Sequence, residues 1–250
     1  PPAGLDYQSE ANNYQYWSHA KADGTFSIRG VRPGTYTLYA YLDGEVGQYV
    51  RENVTVTAKS TNALGNITWT VPRTGARLAW EIGFPNRDSI EFRHGDDFFT
   101  PYLYKTFARD LPNPLVFEVG KSDPRKDWNY AQSMYITPDG RATPWKWTIR
   151  FNLPAMPKSG DAALILALAG SNQANLRISL NGKKLDEFEP KLDGGNGLLR
   201  QSSYLKYSNY SIPVPLSKLH VGENTVDLDM TNTRGEGSVI FYDYIALELP

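Results

Sequence analysis

Apolar and polar residues alternate with period two along much of this chain, the spacing that turns one side of a β-strand toward a core and the other toward water. Thr35-Tyr36-Thr37-Leu38-Tyr39-Ala40-Tyr41 alternates strictly between the turns Arg32-Pro33-Gly34 and Asp43-Gly44. Residues 14–20, 25–28, 54–57 and 66–71 read as four further short strands. Ala22-Asp23-Gly24 supplies the turn between the first two of these, because Gly adopts positive φ without strain. No segment repeats its apolar positions at a helical period. Residues 1–75 are therefore expected to form a small β-sandwich that buries Phe26, Ile28, Tyr36 and Leu38. Pro1 to Ser9 carries little pattern, so this sandwich is expected to be incomplete at its N-terminus.

A second run of strands fills residues 76–250. Trp80-Glu81-Ile82-Gly83-Phe84-Pro85 opens it, and an irregular segment follows over residues 86–113, long enough to suggest a functional or well-packed loop. Leu115-Val116-Phe117-Glu118-Val119 reads as a strand, then comes a polar loop from Ser122 to Trp128, then an alternating strand from Trp145 to Phe151. Residues 162–169 are rich in Ala and Leu. The flanking Gly160 and Gly170 and the short length favour a buried strand over a helix. Residues 174–180 and 183–188 flank Asn181-Gly182, a two-residue hairpin signal. Residues 208–213, 225–230 and 239–249 complete the set. About eight antiparallel strands without helical crossovers predict an all-β, two-sheet jelly roll.

Composition narrows the function classes. The 26 basic and 27 acidic residues leave a formal net charge of -1, which gives no overall footprint for nucleic acid. No run approaches the roughly 18 apolar residues that a membrane-spanning helix requires. The chain has no cysteine, so disulfides, thiolate zinc sites and cysteine nucleophiles are excluded. It starts at Pro1-Pro2 without a methionine, as expected of a processed or truncated piece of a longer protein. Asn53, Asn66 and Asn209 head N-x-Ser/Thr sequons, which add slight weight to secretion.

Several strings together resemble one family. Residues 23–44 are similar to starch-binding-like and carboxypeptidase-regulatory-like sandwiches, with two turns pinning the register. Residues 80–87, 119–128 and 145–149, followed in order by 166–182, 221–230 and 241–250, resemble the C-terminal part of rhamnogalacturonan lyases, polysaccharide lyase family 4. The resemblance implies a small middle domain of fibronectin type III or starch-binding type, followed by a carbohydrate-module-like, galactose-binding-like jelly roll. It implies a secreted, extracellular parent enzyme acting on rhamnogalacturonan I in pectin of the plant cell wall. The family's catalytic Lys and His lie in an N-terminal domain that matches nothing here, so no catalytic residue is carried over. The expected partners are that catalytic domain and the polysaccharide, with no nucleic acid and no membrane.

The residues themselves agree with a non-catalytic role. β-Elimination at a galacturonate needs a base, a cation on the carboxylate and an acid for the leaving oxygen. Of the three histidines, His19 falls in a strand and His220 in a turn, leaving His94 as the one near a plausible site. Binding of an acidic sugar polymer calls for cations and aromatic rings. Arg125, Lys126 and Trp128 form one such group, and Arg200, Tyr204, Lys206 and Tyr207 another. The bland alternative is that Asp123 or Asp127 pairs with the cations and Trp128 is core. The small domain reads as a spacer, with Tyr14, Tyr16 and Trp17 as the sugar-binding alternative. The jelly-roll resemblance also implies a structural calcium, for which Glu118 and Asp243 are candidates against simple solvent exposure or ion pairing. Two functions stand: a region that supports a lyase and helps hold its polymer, or domains that clamp the catalytic domain without touching polysaccharide.

Overall fold

The computed structural model describes residues 16, 18–73, 75, 77–97, 108–190, 207–231, 233 and 237–250. In the first module β1 (Gly34–Ala40) and β2 (Tyr49–Val56) pair antiparallel. The second begins with β3 (Arg77–Gly83), β4 (Leu115–Glu118), the single helical turn α1 (Pro124–Asp127), β5 (Ala131–Ser133), β6 (Tyr135–Ile136) and β7 (Ala142–Thr143). It continues through β8 (Lys146–Leu153), β9 (Ala162–Asn172), β10 (Asn175–Leu180) and β11 (Lys183–Phe188). Three strands complete it, β12 (Ser208–Val214), β13 (Gly222–Thr231) and β14 (Val239–Leu249). Two five-stranded sheets result. The front sheet runs β11-β10-β13-β8-β4, and the back sheet runs β12-β9-β14-β3 with β5 also on β14. The chain is all-β, as its alternation implies.

Two sheets facing each other define one core, and aromatic rings fill its middle. Trp128 is fully buried and meets the Trp147, Tyr242 and Phe117 rings at centroid distances of 4.6, 5.5 and 5.7 Å, all close to edge-on. Such edge-to-face contacts add roughly 0.5–1.5 kcal/mol per pair to the burial itself. Trp145 extends the stack, 5.0 Å from Trp147, and its indole N–H donates to the Pro112 carbonyl at 2.8 Å. A polar tie crosses the same interior. Tyr242 Oη donates to Gln132 Oε1 at 2.6 Å, and the Gln132 amide donates to the Trp145 and Leu228 carbonyls at 2.7 and 3.0 Å. Because these buried polar groups find partners, they fix the relative position of the sheets at little cost.

The strand expected at 162–169 is β9, and its apolar run has a physical reason. Leu164, Leu166 and Leu168 face the aromatic core, while Ala163, Ile165 and Ala167 join Tyr244 and Ala246 of β14 in a second cluster on the opposite face. Val46 of the first module and Tyr207 cover that cluster. A strand buried on both faces loses the polar half of its alternation. Asn181 and Gly182 take φ of 50° and 74°, the positive pair that a tight hairpin turn between β10 and β11 requires.

Two expectations change. β4 pairs parallel, not antiparallel, with β8. A parallel neighbour needs a long crossover rather than a hairpin. The chain from Val119 to Trp145 is that crossover, visiting α1, β5 on the back sheet and the β6–β7 hairpin on its way. In the first module only β1 and β2 form a ladder among the described residues, and 25–28 and 66–71 stay outside any strand. Phe26 is exposed, and Ile28, Tyr36 and Leu38 are only half-buried. Among the described residues this module shows one two-stranded ribbon, which leaves its apolar positions less buried than the alternation implies.

At the end of β3, Gly83 has φ of 87°, and a Cβ built on it would lie 2.2 Å from the Asp243 carbonyl oxygen. Gly83→Ala is therefore expected to lower stability by more than a surface change, since it combines left-handed strain with a backbone clash. Trp128→Ala should cost about 3–5 kcal/mol through the cavity it leaves. Urea unfolding followed by tryptophan fluorescence checks both, and a Trp128→Ala chain as stable as the parent would remove the aromatic core from this description.

Candidate functional site

The β3–β4 and β4–β5 connections meet at one end of the sandwich, and the sequence explains why. Arg93 donates its N–H to the Trp128 carbonyl at 2.9 Å, and Tyr130 donates to the Arg93 carbonyl at 3.1 Å, a short parallel bridge between the loops. Phe92 and Trp128 on either side of this bridge turn inward, with ring centroids 6.3 Å apart. Asp123 caps α1 by accepting the Arg125 N–H at 3.0 Å, with Pro124 at the first helical position where no backbone donor is needed. Asp127 accepts the Asp123 N–H at 2.8 Å, closing the turn.

This geometry brings three expected residues onto one polar rim. His94 has φ of 62°, and its imidazole lies between two carboxylates, Nδ1 2.6 Å from Asp97 and Nε2 3.0 Å from Asp110. Arg93 also reaches Asp110, at 3.5 Å. Arg125 pairs with Asp96 at 3.5 Å, and Lys126 pairs with Asp123 at 3.1 Å. The Lys126 ammonium and the Arg125 N–H hold the Asp123 carboxyl below its ordinary range. Arg93, Arg125 and Lys126 each already face a carboxylate. A polyanion would have to compete with Asp96, Asp110 and Asp123 for them.

Trp128 corrects the expectation of a sugar-stacking ring. It is 0% exposed, because the apolar indole is worth more between the sheets than on a solvated loop. Arg200, Tyr204 and Lys206, with Tyr14 and Trp17, lie outside the described residues. Tyr16 packs edge-on to Tyr36, 6.0 Å between centroids, and its hydroxyl accepts the Arg32 N–H at 3.3 Å. The proposed calcium pair does not assemble, since Glu118 sits on the front sheet and Asp243 on the back sheet. Glu118 instead pairs with Lys121 at 2.7 Å and Arg150 at 3.1 Å, and those cations hold its carboxyl below its ordinary range. Among the described residues no group of three or more His, Cys, Asp or Glu is arranged to hold a metal ion.

A second constellation escaped the sequence reading. Asp243 is the one acidic residue in the buried stretch from Val239 to Leu247, and its Oδ1 accepts the Asn86 and Arg87 N–H groups, both at 3.0 Å. Those bonds hold Arg87 at φ of 75° and aim its side chain across the back sheet. The guanidinium is stacked between two rings, Tyr41 of the first module at 4.2 Å and Tyr207 at 4.3 Å, and it donates to Gln48 Oε1. Planar, weakly hydrated guanidinium suits such a sandwich, where an ammonium would not. Burial lowers the Arg87 pKa and raises that of the Tyr207 hydroxyl. Burial pushes the Asp243 carboxyl up to about 8, with the nearby Glu91 adding to it and the Asn86 N–H opposing it. Glu91 itself is pushed up to about 7 by burial, against the Phe84 N–H that donates to it at 2.8 Å. The lone Asp within an apolar final strand was the available signal, because a buried carboxyl must be paired or neutral.

A carboxyl raised on folding binds its proton more tightly in the folded state than in the unfolded one. Its contribution is complete below the unfolded carboxylate range near 4 and is lost as pH rises through the folded value of about 8. The urea midpoint is therefore expected to fall between pH 5 and pH 8.5, and Asp243→Asn, which keeps an acceptor for Asn86 and Arg87, should flatten that fall. An identical slope in the variant would exclude Asp243 as its source.

Known proteins similar to this chain share both modules. A family model described as the fn3-type domain II of polysaccharide lyase family 4 matches residues 2–64, and one described as its CBM-like domain III matches residues 78–247. A rhamnogalacturonate lyase of Dickeya dadantii is 32% identical over 97% of this chain and 39% of its own length. A probable rhamnogalacturonate lyase B of Neosartorya fischeri is 28% identical over 95% of this chain and 42% of its own length. The chain thus spans about two fifths of these relatives. Among solved structures, a family 35 carbohydrate binding module covers 46% of the chain and is itself covered to 71%, at 9% identity and a TM-score of 0.26, too distant to inform the site. With both modules matched in order, the chain belongs to polysaccharide lyase family 4 and carries its domains II and III.

Proposed function

We propose that this chain is the non-catalytic, C-terminal region of a secreted rhamnogalacturonan lyase that cleaves rhamnogalacturonan I by β-elimination. In this reading it supports the catalytic domain and helps to hold the polymer. The observation that carries it is the ordered pair of family 4 modules joined through Arg87, Tyr41 and Val46. Seated on each other, they suit the task of holding a third domain at a set distance. Catalysis is assigned elsewhere in this reading, since the His94 ring is engaged at both nitrogens by Asp97 and Asp110.

A second reading, a clamp that never touches polysaccharide, draws support from the same rim. Arg125 and Lys126 are already paired, and Trp128 is not available for stacking.

The chain mixed with rhamnogalacturonan I is expected to yield no unsaturated-uronate absorbance and to be retarded in affinity electrophoresis on that polymer. Appearance of the absorbance would overturn the non-catalytic assignment. Unretarded migration would leave the clamp alone.

A further inference from the structure

Among the described residues, the seam between the two modules holds more acidic than basic groups. Asp43 lies on the first module, in the β1–β2 connection that carries Tyr41, Val46 and Gln48. Across the seam, the segment following β3 supplies Asp88 and Glu91, and β14 supplies Asp243. These four carboxyls act on one another through space. Asp43 acts on Asp88 and Arg87, Asp88 on Glu91, and Glu91 on Asp243. The cation placed among them is Arg87, buried between the Tyr41 and Tyr207 rings, with Arg125 acting on Glu91 from the loop side. Farther along the seam Arg73 reaches Glu45 at 3.0 Å and Glu248 at 3.8 Å, and Glu81 accepts from the Tyr244 hydroxyl at 2.8 Å. One Glu91 oxygen and one Asp243 oxygen are buried without a hydrogen-bond donor at full geometry, although the Tyr207 hydroxyl acts on the Asp243 carboxyl.

We propose that this seam is a proton-dependent joint, seated when Asp243 and Glu91 are neutral and loosened when they ionise. The physical basis is linkage. Separation of the modules would take Tyr41 and Gln48 off Arg87, whose N–H is held by Asp243, and so loosen the burial that disfavours their charged forms. The closed seam consequently holds protons that the open seam releases, and raising pH draws the equilibrium toward opening. Repulsion between Glu91 and Asp243 once both ionise acts in the same direction. The direct contacts resisting it are few and local: the Gly44 N–H on the Pro85 carbonyl at 2.9 Å, the Gln48 acceptor on Arg87, and Val46 on the β9–β14 cluster. The joint stands on the geometry of the seam and is independent of which polymer the parent enzyme cuts.

The absence of native cysteine makes a distance measurement direct. Lys59→Cys on the first module and Lys158→Cys on the second, both exposed, are spin-labelled in the full chain, and the distance distribution is recorded from pH 5.5 to pH 9. A narrow distribution at pH 5.5 should broaden with a midpoint between about 7 and about 8, the values to which burial raises Glu91 and Asp243. Asp243→Asn combined with Glu91→Gln should stay narrow throughout. Glu91→Gln alone, which leaves the strand intact, should make the broadening shallower with pH because one group titrates instead of two, and near-UV circular dichroism of the buried tryptophans confirms that the second module stays folded at each pH. A distribution that does not change with pH, or one that broadens equally in the double variant, would overturn the proposal.

Discussion

Burial of the β9–β14 pair on both faces is the constraint on which the rest of this molecule depends. One face of the pair packs on the aromatic core with Leu164, Leu166 and Tyr242, and the other closes under Val46 and Tyr207 through Ala163, Ile165, Ala167, Tyr244 and Ala246. Small residues on the second face let the covering module approach the sheet. Leu–Ala alternation in β9 thus encodes two interfaces at once: the core of a sandwich and a seat for its neighbour. Apolar burial at about 25 cal/mol per Å² makes both faces favourable without any specific polar contact.

Polar chemistry is then arranged around that double burial rather than scattered. Inside, Tyr242 donates to Gln132 within the back sheet, and the Gln132 amide reaches across to the Trp145 and Leu228 carbonyls. At the seam, Asp243 spends its oxygen on two backbone donors and so orients Arg87, whose sandwich between rings joins three parts of the chain. The rim around His94 differs in kind. Its pairs are exposed on at least one side, and exposed pairs hold little free energy. Cations committed to such pairs organise loops more than they recruit a ligand. The buried seam is the more selective of the two environments, and it belongs to the architecture of the domain pair.

Much of the second module could be read from its residues, and the reasons are specific. Asn181-Gly182 forces a hairpin by backbone conformation alone, whereas only Gly160 precedes β9 as expected, because that strand runs on through Gly170 to Asn172. Trp128 could not be placed so directly. Flanked by Asp127 and Asn129 it looks like a loop ring, and only the meeting of two distant loops through Arg93 shows that it plugs the core. The parallel β4–β8 pairing was hidden for a related reason, since alternation reports exposure and is silent on strand direction. In the first module the same alternation overstated the ladder. Period two marks extended chain, but hydrogen-bonded pairing needs a partner at the right register. Arg87 lay in a recognised string without any sign of its role, because its neighbours Tyr41 and Tyr207 are remote in sequence.

The central claim is that the two family 4 modules behave as one body because Val46 closes on the back sheet and Tyr41 and Gln48 hold Arg87. Scanning calorimetry of the chain at pH 5.5 tests it most directly. The account predicts one transition whose calorimetric and van't Hoff enthalpies agree, and predicts that Arg87→Ala splits it into two. Two separate transitions in the parent chain, unaltered by Arg87→Ala, would contradict it.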